Sequence, residues 1–308
     1  YRGESSKIVF DFDDPMGDSS CVACGECVQA CPTGALMPST IVDIKGVGKS
    51  DVDKKINSVC PYCGVGCQIE YNVKENDIKF VNGVDGPANQ NRLCVKGRFG
   101  FDYVSNPERL TKPMIRIKDK EKDLHPIINF TNMHEYFREA TWEEALNCAA
   151  KGFNQIKKKR NGKSNLAGFG SAKCSNEEAY LFQKLIRTGF NTNNVDHCTR
   201  LCHASSVAAL LETIGSGAVT APFYEVEHSE VIIVIGANPT ENHPVAATFF
   251  KNAAKKGSKL IVMDPRGHSL KKYATHMLQF KPGSDVALLN SIMNVIIEEN
   301  LFNEEYIK

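Results

Sequence analysis

Four cysteines, grouped three and one, constrain this chain more than any other feature of its sequence. Cys60, Cys63 and Cys67 lie in one short stretch, and Cys94 follows much later. Thiolates that converge in this way bind a soft metal ion or an iron–sulfur cluster. A structural zinc site usually combines two Cys-x2-Cys pairs, whereas this group contains one. The spacing therefore favours a 4Fe-4S cluster over zinc.

A second group of cysteines lies near the beginning of the sequence. Cys21, Cys24, Cys27 and Cys31, followed by proline, reproduce the C-x2-C-x2-C-x3-C-P spacing of bacterial ferredoxins. In that spacing the first three thiolates bind one cubane cluster, and Cys31 points toward a second cluster. We expect the other ligands of that second cluster upstream of Tyr1. The spacing predicts half of a two-cluster module, with zinc as the weaker alternative.

The composition limits the classes of protein to which the chain can belong. Its 308 residues include 12 cysteines and carry a net charge of +1. A chain of this length needs no disulfide scaffold, so we expect a reducing compartment, the cytoplasm. The near-zero charge argues against nucleic acid as a partner. No apolar run approaches the length of a membrane span, so we expect none in this chain.

Apolar patterns divide the sequence into four predicted parts. Residues 1–50 form the second half of the ferredoxin-type module, and a linker covers residues 43–57. Residues 55–110 form a small β-rich 4Fe-4S domain. Residues 111–196 and 197–308 form the last two parts, and from about Thr141 strands alternate with helices, which is typical of doubly wound parallel α/β domains. We expect the last domain to be incomplete at its C-terminus and a targeting signal to lie outside the sequence.

Some individual elements are predicted from local patterns. Asn82-Gly83 indicates a turn, and the apolar run 231–235 indicates a buried strand. Ser175 begins a capping box that opens a helix. Pro244 is placed at the first turn of another helix.

Polar loops are expected at the ends of the parallel strands, where such sheets bind ligands. Asp264 is suited to accept hydrogen bonds from a ribose or a guanine, and Arg266 is suited to bind phosphate. The loops lack a G-x-G-x-x-G fingerprint, so ordinary NAD binding is disfavoured, and plain turn chemistry is the alternative for each. The candidate cofactor-binding residues are Ser171, Lys173, Cys174, Asn176, Glu177, Gly236, Asn238, Glu241, His243, Asp264 and Arg266.

Cys202 is the strongest candidate for a reactive side chain. It directly precedes a predicted helix that ends at Gly215. A cysteine at a helix N-terminus, beside Arg200 and His203, favours the thiolate form, which binds metals or acts as a nucleophile. A buried structural thiol and a redox disulfide with Cys198 are the alternatives.

Lys96 follows the fourth cysteine of the first group by two residues. We expect it to lie against the cluster, where a cationic group can bridge electrons to a neighbouring cofactor. An ordinary surface lysine is the alternative.

Together these motifs resemble the catalytic subunit of the molybdenum- or tungsten-dependent formate dehydrogenases, which belong to the bis-molybdopterin guanine dinucleotide oxidoreductases. The resemblance covers essentially the whole chain. It rests on the stretches 60–67, 93–97, 193–196, 200–203, 236–239, 264–266 and 282–290.

The resemblance implies a reaction and roles for several residues. Formate and carbon dioxide would be interconverted at a molybdenum or tungsten bis-molybdopterin guanine dinucleotide centre. Cys202 would be a ligand of that metal, His203 would lie near formate, and Lys96 would link cluster and pterin. Electrons would leave through the two clusters to a flavin- and NAD-linked partner, or to a ferredoxin or hydrogenase module. The resemblance also assigns Pro282, Gly283 and Asp285 to cofactor binding.

Two other functions remain open at this stage. A cysteine-ligated nitrate reductase typically has methionine after the metal cysteine, so His203 argues against it. A non-catalytic iron–sulfur relay subunit of an NADH dehydrogenase lacks the metal cysteine, so Cys202 argues against that function. The formate dehydrogenases have a catalytic arginine and further pterin contacts in a part that would follow Lys308, so we expect this stretch alone to be inactive.

Overall fold

The computed structural model describes residues 3, 13–19, 21–46, 48, 51–118, 127–217, 221–267 and 269–307. The chain divides into two compact units. The first unit comprises residues 1–101 and 221–308, and the second comprises residues 102–220. Most of the beginning of the predicted half-module 1–50, residues 1–2 and 4–12, lies outside the described residues, and the bounds of the four predicted parts stay predictions.

The described residues form ten strands. They are β1 (Lys54–Val59), β2 (Gln68–Lys74), β3 (Asp77–Gly83), β4 (Met114–Arg116), β5 (Phe137–Glu139), β6 (Gly168–Gly170), β7 (Val195–His197), β8 (Val231–Ile235), β9 (Lys259–Met263) and β10 (His276–Leu278).

The described residues also form ten α-helices and several shorter turns of helix. The α-helices are α1 (Glu26–Ala30), α2 (Val95–Phe99), α3 (Trp142–Lys157), α4 (Asn176–Lys184), α5 (Thr199–Cys202), α6 (Ala204–Ile214), α7 (Pro239–Asn242), α8 (Pro244–Lys256), α9 (Asp285–Glu298) and α10 (Glu304–Ile307).

The first unit contains an antiparallel meander with strand order β1-β2-β3. Two corrections follow from it. The predicted linker 43–57 ends too late, because β1 begins at Lys54 and pairs with β2. The predicted turn at Asn82-Gly83 is wrong, because both residues pair with β2 inside β3. The turn between β2 and β3 is made by Glu75 and Asn76, both at positive φ.

A parallel sheet with strand order β10-β9-β8 forms the second part of the first unit. Strand β8 covers the predicted residues 231–235, and α8 begins at Pro244 as predicted. Helix α8 has buried residues on two sides. Val245 and Phe249 pack with the apolar residues of the meander, and Ala253 packs with those of β8 and β9.

A fully buried asparagine holds together the loops around the meander. The Asn89 side-chain amide donates to the carbonyl oxygens of Gln68, Val84 and Arg92 at 3.1, 3.2 and 3.1 Å. Its oxygen accepts the backbone N–H of Gln68 at 3.0 Å. The two amide hydrogens are shared among three carbonyl oxygens, so both the nitrogen and the oxygen of this buried amide have hydrogen-bond partners, as burial of a polar group requires.

The second unit contains the antiparallel pair β4-β5 and the parallel pair β6-β7. Helix α4 begins with the predicted capping box, in which Ser175 and Glu178 each bond the other's backbone N–H. A turn of π-helix, Leu185–Gly189, follows α4 directly. Helix α6 ends at Gly215 in the left-handed region, as the sequence predicts.

The fold class is confirmed as a cluster domain followed by mixed α/β structure, although the parallel sheets have only three and two strands. Within the described residues, every helix is too short or too polar to cross a membrane.

Replacing Asn89 by alanine should lower the free energy of unfolding by about 3 kcal/mol, because three carbonyl groups and one N–H lose their buried partner. Urea denaturation of the variant and the parent protein measures this difference. Asn57→Ala, on the exposed face of β1, is the matched control and should change stability by less than about 0.5 kcal/mol. Equal effects of the two variants would show that Asn89 does not hold these loops.

Candidate functional site

Four cysteines of the first unit line one small pocket, as their spacing predicts. Cys60 and Cys67 are buried, and Cys63 and Cys94 are half-buried. The remaining lining residues are Tyr62, Val65, Leu93, Lys96, Gly97, Asn242, Pro244 and Val245.

A tight loop between β1 and β2 places three of these thiols. The Cys60 N–H donates to the Cys67 carbonyl oxygen at 2.8 Å, which closes the loop at its base. Within the loop, Gly66 takes a φ of 69°, and its N–H donates to the Cys63 carbonyl oxygen at 3.4 Å. A side chain at position 66 would strain this left-handed conformation.

Burial disfavours charged sulfur in the pocket. It raises the pKa of Cys67 to about 12, with a smaller contribution from repulsion by the Cys60, Cys63 and Cys94 thiolates. Burial likewise raises the pKa of Cys60. Without a metal these two thiols hold their protons at neutral pH, so cluster binding must release protons and supply the compensating positive charge.

Gly97 shows that the pocket has room for a bound group. Gly97 lines the pocket, and a Cβ built there would lie 3.4 Å from Leu93 Cδ2 and 3.6 Å from the Cys60 sulfur, so a larger side chain would crowd the wall on which Cys60 lies. Among the described residues, no three His, Cys, Asp or Glu side chains lie close enough to hold a single metal ion. Thiolates of a cluster bind separate iron atoms, so that spacing is compatible with a cluster. The four thiols and the cradle beside Gly97 fit a 4Fe-4S cluster.

The sequence did not reveal the apolar wall of the pocket. Pro244 and Val245, at the start of α8, and Asn242 of α7 line it from far along the chain. The proline indicated a helix start, but no local pattern showed which residues that helix would face.

The ferredoxin-type cysteines surround the short helix α1. Cys21 and Cys27 are exposed, and Cys24 and Cys31 are half-buried. A contact with the Thr33 hydroxyl, at 3.5 Å, lowers the pKa of Cys31 to about 7, with help from nearby backbone N–H groups. That these four cysteines are the ligands of a cluster stays a prediction.

Cys202 is exposed in the second unit, at the break between two helices. It is the last residue of α5, and His203 caps the start of α6. The Cys202 sulfur lies 3.9 Å from His203 Nε2. Arg200 Nε donates to Asp196 at 2.9 Å, and its expected influence on the Cys202 thiol stays a prediction. Cys198 and Cys202 are free thiols, so the structure has no disulfide between them.

A cavity of about 500 Å³ lies in the second unit, where β6 and β7 end and α4 begins. This is the edge at which open parallel sheets bind ligands. Ser171 and Cys174 line the cavity, and Lys173, Asn176 and Glu177 are exposed on the same stretch of chain.

The predicted loops after β8 and β9 belong to the first unit. Asp264 is buried, and its carboxylate accepts the N–H groups of Arg266 and Gly267 at 2.8 and 3.1 Å. Asn238 is also buried and accepts the Thr240 hydroxyl at 2.5 Å. These oxygens therefore shape the loops, and the exposed Arg266 side chain is the better candidate for a ligand contact.

The remaining predicted residues of the first unit lie after strand β8 or near the beginnings of helices. Gly236 follows β8 with a φ of 59°. His243 precedes α8, and Glu241 is exposed in α7. Three others surround the beginning of α9, namely Pro282, Gly283 and Asp285.

Comparisons with known proteins give the family. Residues 109–307 match the family described as molybdopterin oxidoreductase, residues 53–106 match its Fe4S4 domain, and residues 18–37 match the 4Fe-4S binding domain. The chain therefore belongs to the molybdopterin oxidoreductase family. Its cofactors are 4Fe-4S clusters and a molybdenum- or tungsten-bound molybdopterin.

Two curated relatives cover nearly the whole chain. "Probable oxidoreductase YjgC" of Bacillus subtilis is 35% identical over 100% of the chain. "Putative formate dehydrogenase SAR2393" of Staphylococcus aureus is 34% identical over 99%. The chain spans 33% of the length of each relative.

A solved structure shares the fold. Acetylene hydratase from Pelobacter acetylenicus has a TM-score of 0.63 and 21% identity, over 82% of this chain and 33% of that protein.

Cys63→Ser should remove one of the reduced-cluster signals from the low-temperature EPR spectrum of the anaerobically purified full-length protein, because a hydroxyl replaces a thiolate at one iron. Cys148→Ser, at an exposed cysteine of α3, is the matched control and should leave every signal in place. Stoichiometric zinc without iron in the parent protein would contradict the assignment of clusters.

Proposed function

We propose that the full-length protein oxidises formate to carbon dioxide, or runs the reverse reaction, and passes electrons through its 4Fe-4S clusters. The observation that carries the proposal is the Cys202–His203 pair at the break between α5 and α6, with an exposed sulfur 3.9 Å from an imidazole nitrogen. The Staphylococcus aureus relative, whose printed name contains formate dehydrogenase, supports it.

The reaction converts formate into carbon dioxide, one proton and two electrons. The metal–pterin group, when bound, supplies the centre that accepts the two electrons. Cys202 would bind the molybdenum or tungsten through its sulfur, because a soft thiolate is a suitable ligand for such a metal. His203 would lie near formate and take up the proton as a general base.

Each of the two units offers residues that would bind a pterin nucleotide. The cavity of the second unit offers Ser171 and Cys174, and exposed Lys173 lies between them in sequence. The loops of the first unit offer the Arg266 guanidinium, suited to phosphate, and the residues at the start of α9.

Lys96 would carry electrons between the pterin and the cluster of the first unit. Its side chain is exposed and lines the pocket of the four cysteines. A partner linked to flavin and NAD, or a ferredoxin or hydrogenase module, would then accept the electrons. Twelve free cysteines support a reducing compartment, the cytoplasm.

Cys202→Ser should abolish formate oxidation in the full-length holoenzyme while the clusters and the pterin stay bound, because their contacts lie elsewhere. X-ray absorption at the metal edge should show one sulfur neighbour fewer than in the parent protein. Cys148→Ser is again the matched control. An unchanged metal-edge spectrum would show that Cys202 does not bind the metal and is a structural thiol.

The neighbouring imidazole is tested in the same assay. His203→Ala should lower turnover and shift its pH profile with full metal content, whereas His134→Ala, an exposed histidine of the same unit, should do neither. If the full-length protein reduced nitrate and did not oxidise formate, a nitrate reductase would be favoured. If it contained neither molybdenum nor tungsten, a non-catalytic relay subunit would be favoured.

Lys96→Ala should slow formate-linked reduction of an acceptor at least tenfold, a barrier increase of ~1.4 kcal/mol. Stopped-flow measurement of cluster reduction by formate checks this outcome. Lys271→Ala, at an exposed lysine outside the cysteine pocket, is the control. Unchanged rates with both cofactors fully occupied would make Lys96 an ordinary surface lysine.

A further inference from the structure

One buried arginine connects the ferredoxin-type segment with the domain of the four-cysteine pocket. Arg98 of α2 is 3% exposed. Its Nε donates to the Cys24 carbonyl oxygen at 2.8 Å, and one terminal nitrogen donates to Glu26 Oε1 at 2.5 Å. The other terminal nitrogen donates to Gln29 Oε1 at 2.8 Å and to the Val81 carbonyl oxygen at 3.3 Å. Three of these four acceptors belong to the segment that carries the first cysteine group.

The acceptors on α1 make further bonds to the same domain. Glu26 Oε1 also accepts the N–H of Leu93, the residue before Cys94, at 2.8 Å. The Gln29 amide pairs with the backbone of Gly83, donating to its oxygen and accepting from its nitrogen, each at 2.9 Å. Helix α1 is thereby tied to the end of β3 and to the loop that brings in the fourth cysteine.

The backbone beside α1 fits closely against this arginine. Gly25 has a φ of 72°, and a Cβ built there would lie 2.2 Å from Arg98 Cδ and 2.7 Å from Phe99 Cζ. Both the conformation and the contact require glycine, so the loop between Cys24 and Cys27 lies directly on α2.

We propose that Arg98 is a positioning residue that holds the ferredoxin-type cluster at electron-transfer distance from the cluster of the four-cysteine pocket. One connection runs from the Cys24 carbonyl through the Arg98 side chain to its backbone N–H, which donates to the Cys94 oxygen at 3.1 Å. A single residue therefore joins a ligand of one cluster to a ligand of the other.

The burial of the guanidinium makes this connection specific. A buried charge is stable only with its partners in place, and Glu26 supplies the opposite charge, with its side chain 40% exposed. Displacing α1 would leave Arg98 buried without a counter-ion. The two cluster-bearing segments are consequently expected to move as one body around Arg98.

The step that this arrangement serves is the transfer of one electron from the reduced pocket cluster to the oxidised ferredoxin-type cluster. No covalent bond forms or breaks, and no proton is required. The direction of this transfer rests on the proposed function. The positions of the two clusters relative to each other are argued from the hydrogen bonds of Arg98 alone.

The test uses the full-length holoenzyme reduced with dithionite, so it needs no formate. In the parent protein, low-temperature EPR should show magnetic interaction between the two reduced clusters. Arg98→Met should weaken that interaction, with iron content unchanged. Arg92→Met is the matched control, since Arg92 contacts Thr248 and Phe249 instead, and it should behave as the parent.

A milder variant covers the case in which Arg98→Met loses iron. Glu26→Gln keeps an acceptor for the Leu93 N–H but removes the counter-charge, and it should weaken the interaction less than Arg98→Met does. Arg98→Lys should recover part of it through a single hydrogen bond. A parent-like spectrum of Arg98→Met, or of Glu26→Gln where Arg98→Met loses iron, would overturn the proposal. Formate oxidation can fail in every protein without affecting this result.

Discussion

The hydrogen bonds of Asn89 are the interaction on which the cluster pocket depends. Two separate stretches of chain must deliver thiols to one place, one ending at Cys67 and the other at Cys94. Asn89 bonds both backbone groups of Gln68, which follows the first stretch, and the oxygen of Arg92, which precedes the second. One side chain therefore sets the relative position of two peptide segments before any metal contributes.

Local patterns predicted much of the fold. The apolar run of β8, the capping box at Ser175 and the glycine after α6 each act within a few residues, and the structure contains all three as expected. The spacing of the four pocket cysteines was equally informative, because thiol ligands of one site leave a regular pattern. Each of these features depends on neighbours that are adjacent in sequence.

The remaining features depend on partners far along the chain. The sequence gives no indication that Arg98 reaches Cys24, or that Val245 walls the pocket, because both contacts require the finished packing. Asn82-Gly83 has the composition of a turn, yet pairing with β2 keeps it in a strand. Arg200 was placed at the thiol by proximity in sequence, whereas its Nε donates to the carboxylate of Asp196 in β7.

The depth of Cys60 and Cys67 has a consequence for how the protein matures. A pocket that keeps these thiols neutral when empty gains its full complement of bonds only when iron arrives, so the free energy of cofactor binding is also free energy of folding. A cell short of iron would then make a chain that lacks its cluster and is also less stable. Because proteases remove the less stable form, we expect the abundance of the protein to fall when iron is short.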